Sequence, residues 1–362
     1  MGVNFINLQA QYQQYKAEID NEIRDVLETS TYIMGDKVTL LESKLAHFVG
    51  VKHAIACGNG TDALLLSLMA LDIKNGDEVI TSPFTFIATA EMIAFVRAKP
   101  VFVDIDEKTY NMDPSKIEAA ITPRTKAIMP VSIFGQVSDM DKINDIAKRH
   151  HLKVIEDAAQ SFGALYKNKR SCSLSEIATT SFFPAKPLGC YGDGGAVFTN
   201  NDDLARKIRI ILNHGQTKKY VHSCIGINGR LDTIQAAVLN VKLKYFEDEI
   251  AIRQKIANTY KDNLKGVTVP FVEDHNLSVW AQYCIRVKDR DDMIKRCNDN
   301  GIPTGIYYPI PLHLQEVFYY LGYKKGDFPI AEEVSNDIMA IPMSAFVTKD
   351  EQDLIIKVIN NG

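Results

Sequence analysis

Short apolar runs recurring between helical stretches constrain this chain more than any other feature. HAIACGN (53–59), DEVITSP (77–83), KPVFVDID (99–106), KAIMPVSIFG (126–135) and KVIEDAA (153–159) read as strands. TDALLLSLMALDI (61–73), TAEMIAFVRA (89–98) and MDKINDIAKRHH (140–151) read as the helices between them. ATTSFFPA (178–185) and GGAVFTN (194–200) look like two further strands. Strands without polar alternation are buried on both faces. The pattern therefore predicts an α/β fold whose mostly parallel central sheet is covered by helices. Right-handed crossovers bring the C-terminal strand ends to one edge, where ligands usually bind.

The pattern changes near Arg230. Residues 231–264 form one long stretch with apolar positions at helical spacing, leading to a smaller α+β region punctuated by Pro309, Pro311 and Pro342. A chain of 362 residues suits such a division. The expected units are 1–245, an N-terminal segment with the large domain, and 246–362, a small C-terminal domain.

Several function classes are disfavoured. The formal net charge is −4 and no basic stripe is visible, so nothing draws the chain to nucleic acid. Six cysteines lie scattered with no C-x-x-C pair, and the histidines form no H-E-x-x-H pattern. Reduced thiols in a cytoplasm and no metal are the expectation. No apolar run is long enough to cross a bilayer, and the first residues lack the marks of a signal peptide.

Three short segments carry chemistry. In TTSFFPAKPLGCYGDGGAVFTN (179–200), Lys186 lies between an aromatic run and a glycine-rich turn. Such a loop lets backbone approach a ligand, and a desolvated lysine becomes a nucleophile toward carbonyls. In VIEDAAQSFGA (154–164), Asp157 should close a buried strand. A buried carboxylate needs a cationic partner, such as the protonated ring nitrogen on which pyridoxal phosphate depends. Asp157 also suits a helix cap before Ala158, and these residues alone leave both roles open. In GNGTDALLL (58–66), a strand–turn–helix, Thr61 is expected to cap the helix and the turn amides to cradle a phosphate.

Taken with GNGTDAL, SPFTFIATA, EDAAQSFGA, SFFPAKPLGCYGDGGAV and GINGRLDTIQAA, the chain resembles the DegT/DnrJ/EryC1/StrS sugar aminotransferases along essentially its whole length. That group is a branch of the fold-type-I pyridoxal-phosphate enzymes, with an aspartate-aminotransferase-like fold. The resemblance implies that Lys186 carries pyridoxal 5'-phosphate on its ε-amine and shuttles protons as the catalytic base. It implies that Asp157 pairs with the pyridine nitrogen, Gln160 meets the phenolic oxygen and Phe86 stacks on the ring. Gly60, Thr61 and Ser181 are then phosphate ligands, and Asn228 reaches the phosphate of a neighbouring subunit in a homodimer with shared sites.

The resemblance also implies a nucleotide-linked keto sugar as acceptor and L-glutamate as amino donor. The expected acceptor is UDP-2-acetamido-2-deoxy-3-keto-glucuronic acid, used for surface polysaccharide synthesis. A dTDP-linked 3- or 4-keto-6-deoxyhexose is the alternative, and a non-catalytic cofactor-binding regulator is a more distant one. Substrate contacts are expected from Tyr32 in TYIMGDKV, from Arg230, and from Tyr307, Tyr308 and His313 in YYPIPLHLQ. Tyr307 stands where the family more often has histidine. Lys218 and Lys219 are candidates for the diphosphate or a plain solvated pair, and His313 equally suits a buried apolar setting.

Overall fold

A computed structural model describes residues 2–361; Met1 and Gly362, where the two expected domains begin and end, lie outside the described residues. Two helices precede the sheet, α1 (Leu8–Thr29) and α2 (Asp36–Val49). Asn7 caps α1 by accepting from Ala10 N–H at 3.0 Å. The strands then come as expected: β1 (His53–Cys57), β2 (Glu78–Thr81), β3 (Lys99–Phe102), β4 (Thr125–Ile128), β5 (Lys153–Asp157), β6 (Ile177–Ser181) and β7 (Gly195–Thr199). Between them lie α3 (Gly60–Ala70), α4 (Ala88–Phe95) and α5 (Met140–Arg149).

The seven strands form one sheet in the order β1-β7-β6-β5-β4-β2-β3. Only β7 runs against its neighbours; the pairs from β6 through β3 are parallel. Alternate side chains divide between two cores. Ala54, Ile80 and Val154 enter one, while Ile55, Val79 and Ile155 enter the other. Both faces are therefore covered, which is why the strands read as continuous apolar runs. The expected strand 126–135 is cut short after Ile128. Pro130 has no N–H to give a ladder, and its carbonyl instead accepts from Asp157 N–H at 2.9 Å.

After β7, α6 (Asp202–Leu212) leads through a small ribbon at residues 216–222 to α7 (Thr233–Asn263). This helix of 31 residues spans about 46 Å. The expected boundary between 245 and 246 falls inside it, where the helix is unbroken. Val238 and Val241 pack on α1, Leu239 and Phe246 enter a sheet core, and Ile256 and Tyr260 enter a third core. That third core belongs to the C-terminal region, built on the antiparallel pair β8 (Tyr283–Arg286) and β9 (Ile338–Ile341). Helices α8 (Arg290–Asp299) and α10 (Lys349–Asn360) cover it, while α9 (Pro329–Asp337) packs through Ala331 and Val334 in a separate cluster with Cys284, Ile338 and Ala340. Val3 joins the third core, and its N–H donates to Gly301 O at 3.1 Å.

Candidate active site

Asp157 ends β5 at the C-terminal edge of the sheet, and its side chain is buried. Thr89, in the first turn of α4, donates its hydroxyl to Oδ2 at 2.8 Å, and Ala159 N–H donates to Oδ1 at 3.1 Å. Turns follow Asp157 rather than a helix, so it caps nothing. Burial pushes its carboxyl above the ordinary value, while Thr89, Ala159 and the nearby Lys186 ammonium pull it back. Thr89 was not singled out from the sequence; its place in FTFIATA, beside the expected Phe86, was the available signal.

Lys186 is half-buried on the loop between β6 and β7. Its N–H closes a turn on Phe183 O at 2.8 Å. Burial lowers the pKa of its ε-amine, and the Asp157 carboxylate opposes that shift. The two groups therefore sense one another in a desolvated setting, as a nucleophilic amine requires.

The GNGT turn sits against the same edge. Helix α3 begins at Gly60, one residue earlier than expected. Asn59, not Thr61, caps it by accepting from Asp62 N–H at 2.7 Å. Thr61 is thus moved into the first helical turn, whose amides have no acceptor within the helix and point outward. A Cβ on Gly60 would come within 2.7 Å of the Ser181 Cβ at the end of β6. A Cβ on Gly195 would lie 2.4 Å from Asn59 O. Glycine at both places lets the turn nest against β6 and β7.

Gln160 is buried, with Oε1 accepting from Phe134 N–H at 2.8 Å and Nε2 donating to the Tyr308 hydroxyl at 3.2 Å. Phe86 is exposed, its ring 6.3 Å from that of Tyr308. Tyr307 is half-buried and lies 6.4 Å from the Phe5 ring.

A rim of loops adjoins the GNGT turn. Gly58 N–H donates to Gly229 O at 2.7 Å, which places the exposed Asn228 next to this chain's own turn. Arg230 gives Nη1 to Asn213 Oδ1, and its buried Nε has no partner among the described residues. Tyr32 is exposed, but its carbonyl accepts from Thr233 N–H at 2.9 Å, tying that loop to the start of α7 beside Arg230. Lys218 and Lys219 are exposed on the 216–222 ribbon.

His313 is placed differently from the substrate contact expected of it. It is 0% exposed, its Nε2 lies 2.9 Å from Glu332 Oε1, and its ring meets Phe328 edge-on at 4.7 Å. A side chain with no accessible atom cannot touch a substrate directly, so the buried setting also weighed for it is the observed one. Tertiary packing of α9 against the 312–314 turn decides this.

The edge fits a pyridine-ring cofactor bearing a phosphate. Among the described residues, Asp157 is a buried carboxylate without a hydrogen-bonded cation, Lys186 a desolvated amine, and the Gly60–Thr61 turn carries amides with no acceptor. Among the described residues no metal-binding cluster occurs and no helix is long and apolar enough to cross a membrane.

Comparison with known proteins agrees with this chemistry. The profile of the DegT/DnrJ/EryC1/StrS aminotransferase family matches residues 13–360. A UDP-2-acetamido-2-deoxy-3-oxo-D-glucuronate aminotransferase of Pseudomonas aeruginosa is 51% identical, over 99% of this chain and 100% of its own length. A pleiotropic regulatory protein of Geobacillus stearothermophilus is 46% identical, over 99% of this chain and 98% of its own. The solved structure of ntda from Bacillus subtilis with bound cofactor PMP superposes with a TM-score of 0.93 at 32% identity, covering 99% of this chain and 84% of that one.

Proposed function

The chain belongs to the DegT/DnrJ/EryC1/StrS aminotransferase family, and on that premise we propose that it moves an amino group from L-glutamate to UDP-2-acetamido-2-deoxy-3-keto-glucuronic acid. It is a pyridoxal-phosphate-dependent nucleotide-sugar aminotransferase. The observation that carries the reading is the meeting of Asp157, Lys186 and the Gly60–Thr61 turn on one sheet edge in a chain 51% identical to an enzyme of that activity.

When bound, the cofactor supplies an electron sink for charge developing at the amino-bearing carbon. This chain's residues do the rest. Lys186 presents an amine that desolvation keeps available both to hold the cofactor and to take up and return the proton of the amino-bearing carbon in each half of the reaction. Asp157, fixed by Thr89 and Ala159, holds the proton on the ring nitrogen. Gln160, its Oε1 occupied by Phe134 and one amide N–H by the Tyr308 hydroxyl, would have its second N–H left for the ring oxygen. Gly60, Thr61 and Ser181 would hold the phosphate, and Phe86 would supply an aromatic face for the ring.

Arg230, half-buried with Nε unpaired, is our candidate for the sugar carboxylate, because a planar guanidinium pairs bidentately with that group. Tyr32, Tyr307 and Tyr308 are the other proposed sugar contacts, and Lys218 and Lys219 suit the diphosphate. The working unit is a cytoplasmic homodimer whose exposed Asn228 serves the partner's phosphate. Mixing Lys186→Ala with Asn228→Ala protein should then restore activity through hybrids with one intact site. A fully active monomer in sedimentation sinks the shared site.

The substrate test compares kcat/KM for the UDP-linked 3-keto uronate with that for a neutral dTDP-linked 6-deoxy keto sugar. Preference for the neutral sugar overturns the acceptor and leaves the aminotransferase standing. A second reading, a cofactor-binding regulator, draws on the name of the Geobacillus relative. It predicts no change in the cofactor absorbance when glutamate is added, whereas an aminotransferase loses its aldehyde-form band.

A further inference from the structure

A second lysine lies beneath the loop that carries Lys186. Lys242, on α7, is 2% exposed, and its ammonium donates to the carbonyl of Gly189. Its charge also lies 5.3 Å from the Tyr191 ring centre. The titratable groups around it are Glu249 and Arg253 on α7 and Cys190 on the loop. Among the described residues the ammonium bonds Gly189 O, while Glu249 and Arg253 bond other partners.

The loop it holds is tightly folded. A Cβ on Gly189 would come within 2.5 Å of Pro184 O and 2.7 Å of Phe183 O, so the loop closes on itself there. Lys186 N–H and Cys190 N–H close on Phe183 O and Phe182 O, each at 2.8 Å. Helix α7 grips this loop at two points on one face: Gln235 Oε1 accepts from Tyr191 N–H at 2.9 Å, and two turns later Lys242 takes Gly189 O. The other half of α7 is itself anchored. Glu249 accepts from Gln11 Nε2 at 2.9 Å and from Tyr15 at 3.1 Å, and Arg253 donates to Trp280 O at 3.1 Å.

Burying an ammonium against a single carbonyl is unfavourable beside an apolar side chain of the same size. Burial lowers the Lys242 pKa to about 8, the sign of that cost. Stability therefore gives no reason for a lysine here, and position does. We propose that Lys242 is a positioning residue for the transamination, fixing the loop that presents Lys186 by holding Gly189 from a helix anchored at both ends. The inference rests on the reading of Lys186 as the cofactor's lysine.

The test follows capture of pyridoxal phosphate by cofactor-free protein, with borohydride trapping and mass spectrometry of the Lys186 peptide. Lys242→Met should capture roughly ten- to a hundredfold more slowly. Its kcat should fall while KM for the keto sugar stays within about twofold. Arg290→Met, whose guanidinium bonds Ser335 O and Ile338 O rather than α7 or the loop, should capture at the wild-type rate even if it melts earlier. Lys242→Gln, too short to reach Gly189, replaces Lys242→Met if that protein does not fold. Capture at the wild-type rate by either Lys242 variant overturns the proposal. A wild-type protein that never labels Lys186 instead overturns the function proposed above.

Discussion

Along the sheet edge, Asp157 and Gln160, two of the side chains assigned to the cofactor, are held by named hydrogen bonds, whereas the rim above is open. Asp157 and Gln160 are buried and doubly bonded at the edge. On and beside the rim, Tyr32 is 45% exposed, Tyr220 81% and Ile225 84%. The difference follows the task. Ring electronics and proton transfer need groups fixed in a low-dielectric setting. Recognition of a large, charged sugar nucleotide needs accessible groups on loops that can differ between relatives. Damage at the edge should therefore reach every substrate, and damage at the rim should change preference.

The largest expected effect is at Lys186. Lys186→Ala should abolish turnover with every keto sugar while still binding the cofactor non-covalently, as equilibrium dialysis can measure. Measurable turnover by the purified variant ends the comparison. Asp157→Asn comes next. Loss of a charge-assisted hydrogen bond is worth about 1.5–3 kcal/mol, so kcat should drop at least about tenfold for all acceptors alike. Near-normal rates would show that the edge carboxylate is not the ring's partner.

Arg230→Lys sharpens the contrast from the other side. It should lower kcat/KM for the uronate by roughly 10–100-fold and that for a neutral sugar by much less. An equal loss on both sugars would move Arg230 from the rim to the edge.

The smallest effect concerns Glu156, the neighbour of Asp157 pointing to the opposite face of β5. Its carboxylate accepts from Ser171 Oγ at 2.7 Å and Cys172 N–H at 3.0 Å, and no cation bonds it among the described residues. Burial pushes its pKa up to about 7. A carboxyl with a raised folded-state pKa binds more protons in the native protein. Its favourable contribution is full at acid pH and is lost as pH climbs from about 4.5 toward 7. Glu156→Gln should remove ~1–3 kcal/mol of that slope, seen as a flatter dependence of melting temperature on pH. Activity should change little, because Glu156 faces away from the edge. An unchanged slope would show that the carboxylate is not desolvated as described.

Much of this was legible in advance because it is local. Apolar runs and helical spacing belong to windows of a dozen residues, and they placed all seven strands of the sheet and the long helix. Glycines at 60, 189 and 195 announce close backbone approach, and the strand-end rule put Asp157 and Lys186 on one edge before any contact was known. The role of a buried polar side chain is another matter, because its partner is set by the fold and can lie far along the chain. His313 finds Glu332 19 residues away and Lys242 finds Gly189 53 residues away. Glu156 is satisfied by a turn at 171–172, and Thr89 reaches Asp157 across 68 residues. Even the α3 cap turned on such detail, since Asn59 and Thr61 are both good caps and the packing of Gly60 on Ser181 goes with a start one residue earlier. The chain's own pattern determined the sheet, its functional edge and the order of the chemical residues along it. Only the tertiary structure decided which buried polar groups face the edge and which are used up in holding it, because that choice rests on pairings between segments that no local pattern encodes.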